Sequence, residues 1–249
     1  EGMSILITGG GTGLGAGAAE HFCKLGAKVT ISGRRQDKIE AEAARIGTNC
    51  HGVAGDVTID ADRRRMIAAA VEHGGGRLDA LLSNAGNMYR GPIDELDEQQ
   101  LLDIFHTNVV AGMMLTGLAK PYLEQTKGCV VFVGSVHTQR AFPGASPYAA
   151  TKGALETLTR VLAAELGPAG IRVGCIRPGA VFTEINQRAG LGDADAAYQR
   201  LLGLSSAHAL GRIGTVHEIA EAYEYLVRAE WTTGNVLRSE EHTSELQSH

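Results

Sequence analysis

The stretch Ser4-Ile5-Leu6-Ile7-Thr8-Gly9-Gly10-Gly11-Thr12-Gly13-Leu14-Gly15 decides the fold of this chain. Its apolar start predicts a buried strand over 3–8, and a helical pattern begins at residue 13. Glycines at such a junction let the backbone approach a pyrophosphate, and the helix N-terminus adds free N–H groups and partial positive charge. A glycine cluster alone is weak evidence, but its place between a strand and a helix supports phosphate binding.

Short β-branched runs alternate with longer helical patterns along the rest of the chain. The expected strands are 3–8, 27–33, 49–55, 79–83, 129–134, 171–177 and one starting at 235. The expected helices are 13–25, 36–46, 60–73, 97–126, 147–167 and 215–229. The span 97–126 is long, and we expect an interruption before Pro121. Repeated β-α-β units predict an α/β protein with a single-domain, Rossmann-like, doubly wound parallel sheet and helices on both faces.

One domain is expected over residues 1–238. The glycine-rich segment 183–214 follows a strand end, where open α/β sheets bind ligands, and is interpreted as a substrate lid. An ordinary surface excursion is the alternative. Residues 239–249 look like the translation of a sequencing-adapter oligonucleotide and are interpreted as a non-native tail. A genuine polar tail is the other interpretation.

Composition excludes several classes of function. The net charge of −5 argues against a nucleic-acid surface, and the basic run Arg63-Arg64-Arg65 is interpreted as a solvated helix face. No histidine spacing suggests a metal site. No apolar stretch approaches the length of a membrane span, and the start of the chain is too short for a signal peptide. We therefore expect a cytoplasmic protein without a metal, a membrane or a nucleic-acid partner.

The cysteines are expected to be reduced core residues. They are widely spaced and form no C-x-x-C pair, and three of them lie in or beside apolar runs. The positions are Cys23, Cys50, Cys129 and Cys175.

The end of the second strand indicates which dinucleotide is bound. An acidic residue there would bind a free ribose 2′-hydroxyl, whereas a basic residue would accept a 2′-phosphate. The sequence Ile31-Ser32-Gly33-Arg34-Arg35 contains no carboxylate. NADP(H) is therefore favoured over NAD(H), unless the two arginines simply face solvent.

A candidate catalytic group lies in the second half of the chain. Tyr148 and Lys152 are four residues apart, on one helical face. This pair alone is weak evidence, because it arises readily by chance. Ser135 closes the expected strand 129–134, and Asn108 lies within the expected helix 97–126.

With these residues in view, the chain resembles the compact branch of the short-chain dehydrogenase/reductase family. The matching motifs are Thr8-Gly9-x-x-x-Gly13-x-Gly15, Asp56-Val57, Asn84-Ala85-Gly86, Asn108, Ser135, Tyr148-x-x-x-Lys152, and Pro178-Gly179 with Thr183. Their order and spacing agree from about residue 3 to residue 237. The resemblance fails at the end, where the family's last strand usually continues into a Val-Asp-Gly-Gly-like stretch, and this puts the final strand in doubt.

The resemblance implies an oxidoreductase that transfers a hydride between NADP(H) and a carbonyl or secondary alcohol. Tyr148 would be the general acid and base, and Lys152 with the nicotinamide cation would lower its pKa. Ser135 would hold the substrate oxygen, and Asn108 would anchor a water that links Lys152 to solvent. The residues assigned to the cofactor are Thr8, Gly9, Gly11, Thr12, Gly13, Leu14, Gly15, Arg34, Arg35, Asp56, Val57, Asn84, Ala85, Gly86, Tyr148, Lys152, Pro178, Gly179, Val181 and Thr183.

Some features allow two interpretations. Asp56 could only cap a turn, and His137 could contact substrate or face solvent. Met113 and Met114 are expected to pack within or between helices. The helices 97–126 and 147–167 match those that form subunit interfaces in the family, which implies a homotetramer or homodimer. The alternative functions are a dinucleotide-binding sensor without turnover and, less favoured, a nucleotide-sugar epimerase or dehydratase.

Overall fold

A parallel sheet forms the centre of the protein. The computed structural model describes residues 2–184 and 194–239, and within them seven strands form one sheet in the order β3-β2-β1-β4-β5-β6-β7. The strands are β1 Ser4–Thr8, β2 Lys28–Gly33, β3 Cys50–Ala54, β4 Ala80–Ser83, β5 Cys129–Val133, β6 Arg172–Arg177 and β7 Asn235–Arg238. Every ladder is parallel. The order reverses between β1 and β4, and open α/β sheets bind ligands at such a point.

Helices cover both faces of the sheet. The α-helices are α1 Gly13–Lys24, α2 Gln36–Ile46, α3 Asp60–His73, α4 Glu98–Phe105, α5 Ala111–Thr126, α6 Ser146–Leu166, α7 Ala194–Leu202 and α8 Val216–Arg228. Strand β1 shows the two layers, because Ile5 and Ile7 pack into one core and Leu6 into the other. The first core also receives Ile39 of α2, and the second receives Leu155 of α6. The predicted doubly wound fold is confirmed.

The long helix expected over 97–126 is interrupted at a different place. A π-helical turn over His106–Val110 separates α4 from α5. Pro121, which was expected to mark the break, lies inside α5. Its missing N–H removes one helical hydrogen bond, but Ala119 and Leu123 on either side are fully buried. Tertiary packing of this face stabilises the helix more than one backbone hydrogen bond does.

The segment Glu98–Thr126 also corrects the expectation about membrane spans. Its 29 residues include a window of mean hydropathy 1.3, so by length and composition it could cross a membrane. A helix that covers the sheet of a soluble protein passes the same test, so this is weak evidence for a membrane. Only 39% of that window is buried, and Met113 and Met114 are about half exposed. The expectation that both methionines pack within or between helices is wrong for the isolated chain.

Three further expectations meet the structure here. Arg63 is buried and donates from Nη1 to the Val57 carbonyl at 2.8 Å, so only Arg64 and Arg65 belong to a solvated face. The strand β7 pairs with β6 despite the departure from the family pattern. No disulfide joins the four cysteines, all of which lie in the described ranges. Residues 185–193 of the predicted lid and 240–249 of the predicted tail lie outside the described residues.

Candidate active site

A cavity of about 1000 Å³ lies at the carboxyl ends of the strands. The glycine cluster after β1 lines one end, and Ser135 and Tyr148 line the same cavity. Of the residues predicted for the cofactor and for catalysis, all line this cavity except Thr8, Gly15 and Asn108. The structure therefore brings together two groups that the sequence places more than a hundred residues apart.

The turn after β1 depends on its glycines. Gly9 and Gly13 have φ of +66° and +57°, which disfavours side chains. A Cβ on Gly15 would overlap the Gly9 carbonyl oxygen and lie 2.6 Å from Asn84 Nδ2. The lack of a side chain at Gly15 therefore allows the turn to pack closely against Asn84, although Gly15 does not line the cavity.

Thr8 and Asn84 fasten this turn to β4. Thr8 Oγ1 accepts from the N–H groups of Asn84 and Ala85 at 3.1 and 3.0 Å. Asn84 Nδ2 donates to the carbonyls of Thr8 and Gly9 at 2.9 and 3.2 Å. The phenol of Tyr223, which sequence analysis did not single out, donates to Asn84 Oδ1 at 3.1 Å. Thr8 thus holds the cavity wall together from outside it.

Tyr148, Lys152 and Ser135 meet at the other end of the cavity. Tyr148 and Lys152 lie on successive turns of α6, and Ser135 follows β5. The Ser135 hydroxyl and the Tyr148 phenol line the same part of the cavity, and Ser135 lies close enough to affect the pKa of Tyr148. Lys152 Nζ lies 5.4 Å from the centre of the Tyr148 ring and donates to the Val133 carbonyl at 2.8 Å.

Burial dominates the acid–base properties of this group. It raises the pKa of Tyr148 to about 12, against a smaller opposing effect of the Ser135 hydroxyl. Burial also lowers the pKa of Lys152 to about 8. The chain alone therefore does not show the expected lowering of the Tyr148 pKa by Lys152. The physical reason is that desolvation disfavours both charged forms, and that Lys152 Nζ lies over the ring, bonded to Val133.

Asn108 is held by the protein at the π-helical turn. Its Oδ1 accepts from the Asn87 N–H at 2.8 Å, and its Nδ2 lies 3.0 Å from both the Asn87 carbonyl and Thr151 Oγ1. A Cβ on Gly86 would lie 3.4 Å from Asn108 Oδ1 and 3.8 Å from Lys152 Nζ. Asn108 and Lys152 therefore face the same small space, although Asn108 itself does not line the cavity.

The end of the cavity beside α2 is lined by both basic and acidic side chains. Asp56 Oδ1 accepts from the N–H and hydroxyl of Thr58 at 2.9 and 2.8 Å, so it caps a turn while also lining the cavity. Arg35 and Lys38 donate to the two oxygens of Glu184 at 2.8 and 2.7 Å. Although burial opposes it, these bonds lower the pKa of Glu184 to about 2. Glu184 therefore links the loop after β6 to the start of α2.

Comparison with known proteins matches this architecture. A sequence profile described as short chain dehydrogenase matches residues 3–193. The chain belongs to the short-chain dehydrogenase/reductase family. It is an oxidoreductase of the class that acts on CH–OH or C=O groups, as the sequence predicted.

Individual relatives of this dehydrogenase cover nearly its whole length. It is 33% identical to an uncharacterized oxidoreductase of Methylorubrum extorquens, over 96% of each chain. It is 32% identical to L-fucose dehydrogenase of Bos taurus, over 95% of this chain and 87% of that protein. The structure of 3-ketoacyl-(acyl-carrier-protein) reductase from Brucella melitensis complexed with NADH has a TM-score of 0.88. That reductase is 29% identical, and the match covers 96% of this chain and 97% of the other.

His137 of the dehydrogenase faces inward. Its Nδ1 lies 3.0 Å from Ser135 Oγ, and its ring centre lies 4.3 Å from that of Phe142 and 5.1 Å from that of Tyr148. Burial, with smaller effects of the Arg90 and Lys152 charges, lowers the pKa of His137 to about 4. The imidazole is therefore neutral near pH 7. Of the two interpretations of this residue, the structure supports the one in which it faces the cavity.

A buried ion pair behind the cavity escaped sequence analysis. Arg177 Nε and Nη2 donate to the two carboxylate oxygens of Glu156 at 2.8 and 2.6 Å. The Thr138 hydroxyl lies 2.8 Å from Glu156 Oε1 and 2.9 Å from the Ser135 carbonyl oxygen. This pair therefore ties α6 and β6 to the turn that carries Ser135. A pairing of residues that are 21 positions apart leaves no local sequence pattern.

Proposed function

We propose that this dehydrogenase transfers a hydride between NADP(H) and a carbonyl or secondary alcohol, with Tyr148 as general acid and base. One observation carries the proposal. The side chains of Tyr148 and Ser135 line the same cavity as the glycine turn after β1. When bound, the nicotinamide supplies or accepts the hydride. The carbonyl carbon gains that hydride in reduction, and its oxygen gains the Tyr148 proton.

The residues present fit a dinucleotide. The turn after β1 exposes its backbone at Gly11 and Gly13, and α1 directs its N-terminus at the same space. A cavity of about 1000 Å³ is at the upper end for small-molecule sites. The similar Brucella reductase was solved with NADH, which supports a nicotinamide dinucleotide here.

Each catalytic side chain would have a separate task. Ser135 would donate to the substrate oxygen and hold it beside Tyr148. In the chain alone, the raised pKa keeps the Tyr148 phenol protonated. For oxidation of an alcohol, in which Tyr148 takes up the proton, a nearby positive charge must lower that pKa. Lys152 would supply this charge once its ammonium is stabilised. Asn108 would fix Asn87 and Thr151 next to Lys152.

Tyr148→Phe tests the catalytic role. We expect turnover to fall at least ~10²-fold, the low end for a general acid–base group, with NADPH binding retained. A panel of ketones, aldehydes and ketoacyl thioesters, followed at the nicotinamide absorbance, supplies the assay. Unchanged turnover would refute the role of Tyr148. Dinucleotide binding without turnover of any substrate would favour a sensor.

The preference for NADP(H) rests on Arg34 and Arg35, which line the cavity where the second strand ends. We propose that Arg34 binds the 2′-phosphate, joined by Arg35 and Lys38 when Glu184 releases them. Arg34→Asp is expected to weaken NADPH binding by ~1.5–3 kcal/mol, the range for a charged hydrogen bond, with a smaller effect on NADH. Fluorescence titration with both dinucleotides measures this. Equal affinities in the unmodified protein would remove the argument.

Two broader expectations remain proposals. Leu102, Val110, Met113 and Met114 are exposed on the long helix and Val161 on α6, so we propose that these faces join subunits in a homodimer or homotetramer. Light scattering during size-exclusion chromatography tests this.

We also propose that 183–214 forms a substrate lid of a domain spanning 1–238, in a cytoplasmic enzyme. In the described part of the lid, Leu201 lines the cavity, which supports this role.

A further inference from the structure

Three arginines line the cavity in addition to those beside α2. They are Arg90, Arg140 and Arg200. The lining carboxylates among the described residues are Asp56 and Glu184, and both belong to the end beside α2. The described carboxylates therefore lie away from Ser135 and Tyr148, whereas Arg90 lies near these two residues.

Arg90 is the arginine that the structure connects most directly to the catalytic group. Its Nη2 donates to the Pro143 carbonyl at 3.2 Å, beside Phe142, whose ring stacks on His137. His137 in turn contacts Ser135. Arg90 lies close enough to His137 for its charge to contribute to lowering the pKa of that imidazole.

The charge of Arg90 has no acidic partner in the described part of the chain. Arg90 is half-buried, and its side chain donates to the Pro143 carbonyl oxygen. Partial burial of an uncompensated cation is costly, and a ligand oxoanion would offset that cost. His137, being neutral, adds a polar contact without charge.

Arg140 and Arg200 also line the cavity. Arg140 follows the turn that carries Ser135 and is half-buried, whereas Arg200 is exposed on α7, where Leu201 also lines the cavity. Clefts lined by charge of one sign concentrate ligands of the opposite sign. The net charge of the chain is −5, so these positively charged residues contrast with the negative charge of the protein as a whole.

We propose that the substrate of this dehydrogenase is a carbonyl compound, or the matching alcohol, that carries an oxoanion bound by Arg90. Arg140 and Arg200 attract the anion at the cavity entrance. The placing of the reacting carbonyl rests on the function proposed above. A carboxylate and a phosphate share the chemistry that Arg90 recognises, and the test distinguishes them.

The test compares substrates that carry an oxoanion with neutral counterparts of the same carbonyl skeleton. Keto acids of increasing chain length are paired with their methyl esters, and dihydroxyacetone phosphate is paired with dihydroxyacetone. We expect kcat/KM with NADPH to favour one anion over its neutral partner by at least tenfold. Arg90→Gln should lower kcat/KM for that anion tenfold to a hundredfold, mainly through KM, since a charge-assisted hydrogen bond is lost.

Matched variants separate binding from folding. Arg90→Lys should keep part of the preference because it keeps the charge, whereas Arg64→Gln alters an exposed arginine outside the cavity and should leave kcat/KM as it is. Unfolding temperatures of all variants show whether each is folded. The decisive quantity is the ratio of kcat/KM for anion and ester, which a general loss of structure does not change.

Three results would overturn the proposal. They are equal kcat/KM for the anion and its neutral partner, equal losses for both in Arg90→Gln, and a preference for the neutral compound. If no carbonyl compound turns over, calorimetric titration of the same keto acids and phosphates into the unmodified protein and into Arg90→Gln tests anion binding directly. Anion binding that Arg90→Gln weakens at least tenfold keeps this inference while the proposed function fails. If neither the keto acids nor the phosphates bind, this inference fails as well.

Discussion

Removal of the Glu156 carboxylate should lower the stability of the protein sharply. Glu156 and Arg177 are joined by two hydrogen bonds, and their side chains are only 8% and 11% exposed. Glu156→Ala would leave the Arg177 guanidinium buried without its partner. Breaking one side of a buried pair costs about 3–5 kcal/mol. In a domain of this size each kcal/mol corresponds to roughly 2–4 °C, so the unfolding temperature should fall by roughly 6–20 °C.

A double variant that replaces both partners distinguishes the lost charge partner from a simple cavity. Differential scanning calorimetry would compare Glu156→Ala, Arg177→Met and a double variant carrying Glu156→Leu with Arg177→Met. The double variant replaces the pair by apolar side chains of similar size, and such replacements are often neutral or stabilising. We expect it to recover more than half of the stability lost by Glu156→Ala.

The ion pair also supports the turn that carries Ser135, through the Thr138 hydroxyl. Glu156→Gln keeps an oxygen that Thr138 can reach, so its kcat well below the unfolding temperature should exceed that of Glu156→Ala. An unfolding temperature of Glu156→Ala within about 2 °C of the unmodified protein, below the smallest effect expected of a broken buried pair, would refute the reasoning. So would a double variant no more stable than Glu156→Ala.

Three further changes test other parts of the structure. Gly15→Ala should abolish NADPH binding in a fluorescence titration because its Cβ would overlap the Gly9 carbonyl, whereas Gly153→Ala, which meets nothing within 4 Å, should bind normally. Tyr223→Phe removes a buried hydrogen bond and should cost ~1 kcal/mol in urea unfolding, and an unchanged midpoint would contradict this. Burial lowers the pKa of Lys152 from 10.5 to about 8, so between these values the unfolded chain binds more protons and the stability of the ligand-free protein rises with pH. Lys152→Met should therefore be more stable than the unmodified protein at pH 7, by a margin that shrinks toward pH 10.5, and a margin independent of pH would exclude this explanation.

The sheet could be predicted from the sequence because its strands are continuously apolar. A strand covered on both faces has no polar side, and β5 and β1 show this most clearly. The position of the π-helical turn could not be predicted, because His106–Val110 contains no residue type that demands a wider turn. Pro121 predicted a break more strongly than any residue of the turn, but the packing of α5 keeps the helix continuous there.

The candidate site was predictable where motifs follow strand ends. Ser135 and Asn84 were found because parallel strands bring their carboxyl ends to one edge of the sheet. Partners that depend on distant pairing were missed, since Tyr223 lies 139 positions from Asn84. Arg90 was missed for a different reason. A single arginine has no distinctive spacing, and only the cavity shows that it faces the same space as Tyr148.

The wide turn at His106–Val110 also sets how α5 is rotated about its axis relative to α4. Each residue of an α-helix advances about 100° around that axis. A five-residue π-helical turn advances about as far around the axis as four residues of an α-helix. Loss of one residue here would therefore close it to an ordinary helical turn and leave the following 16 residues facing as they do now. Leu115 would stay buried, whereas the same deletion at Gly117 would rotate Leu123 about 100° away from the core, so a one-codon deletion should be tolerated in the turn but not within α5.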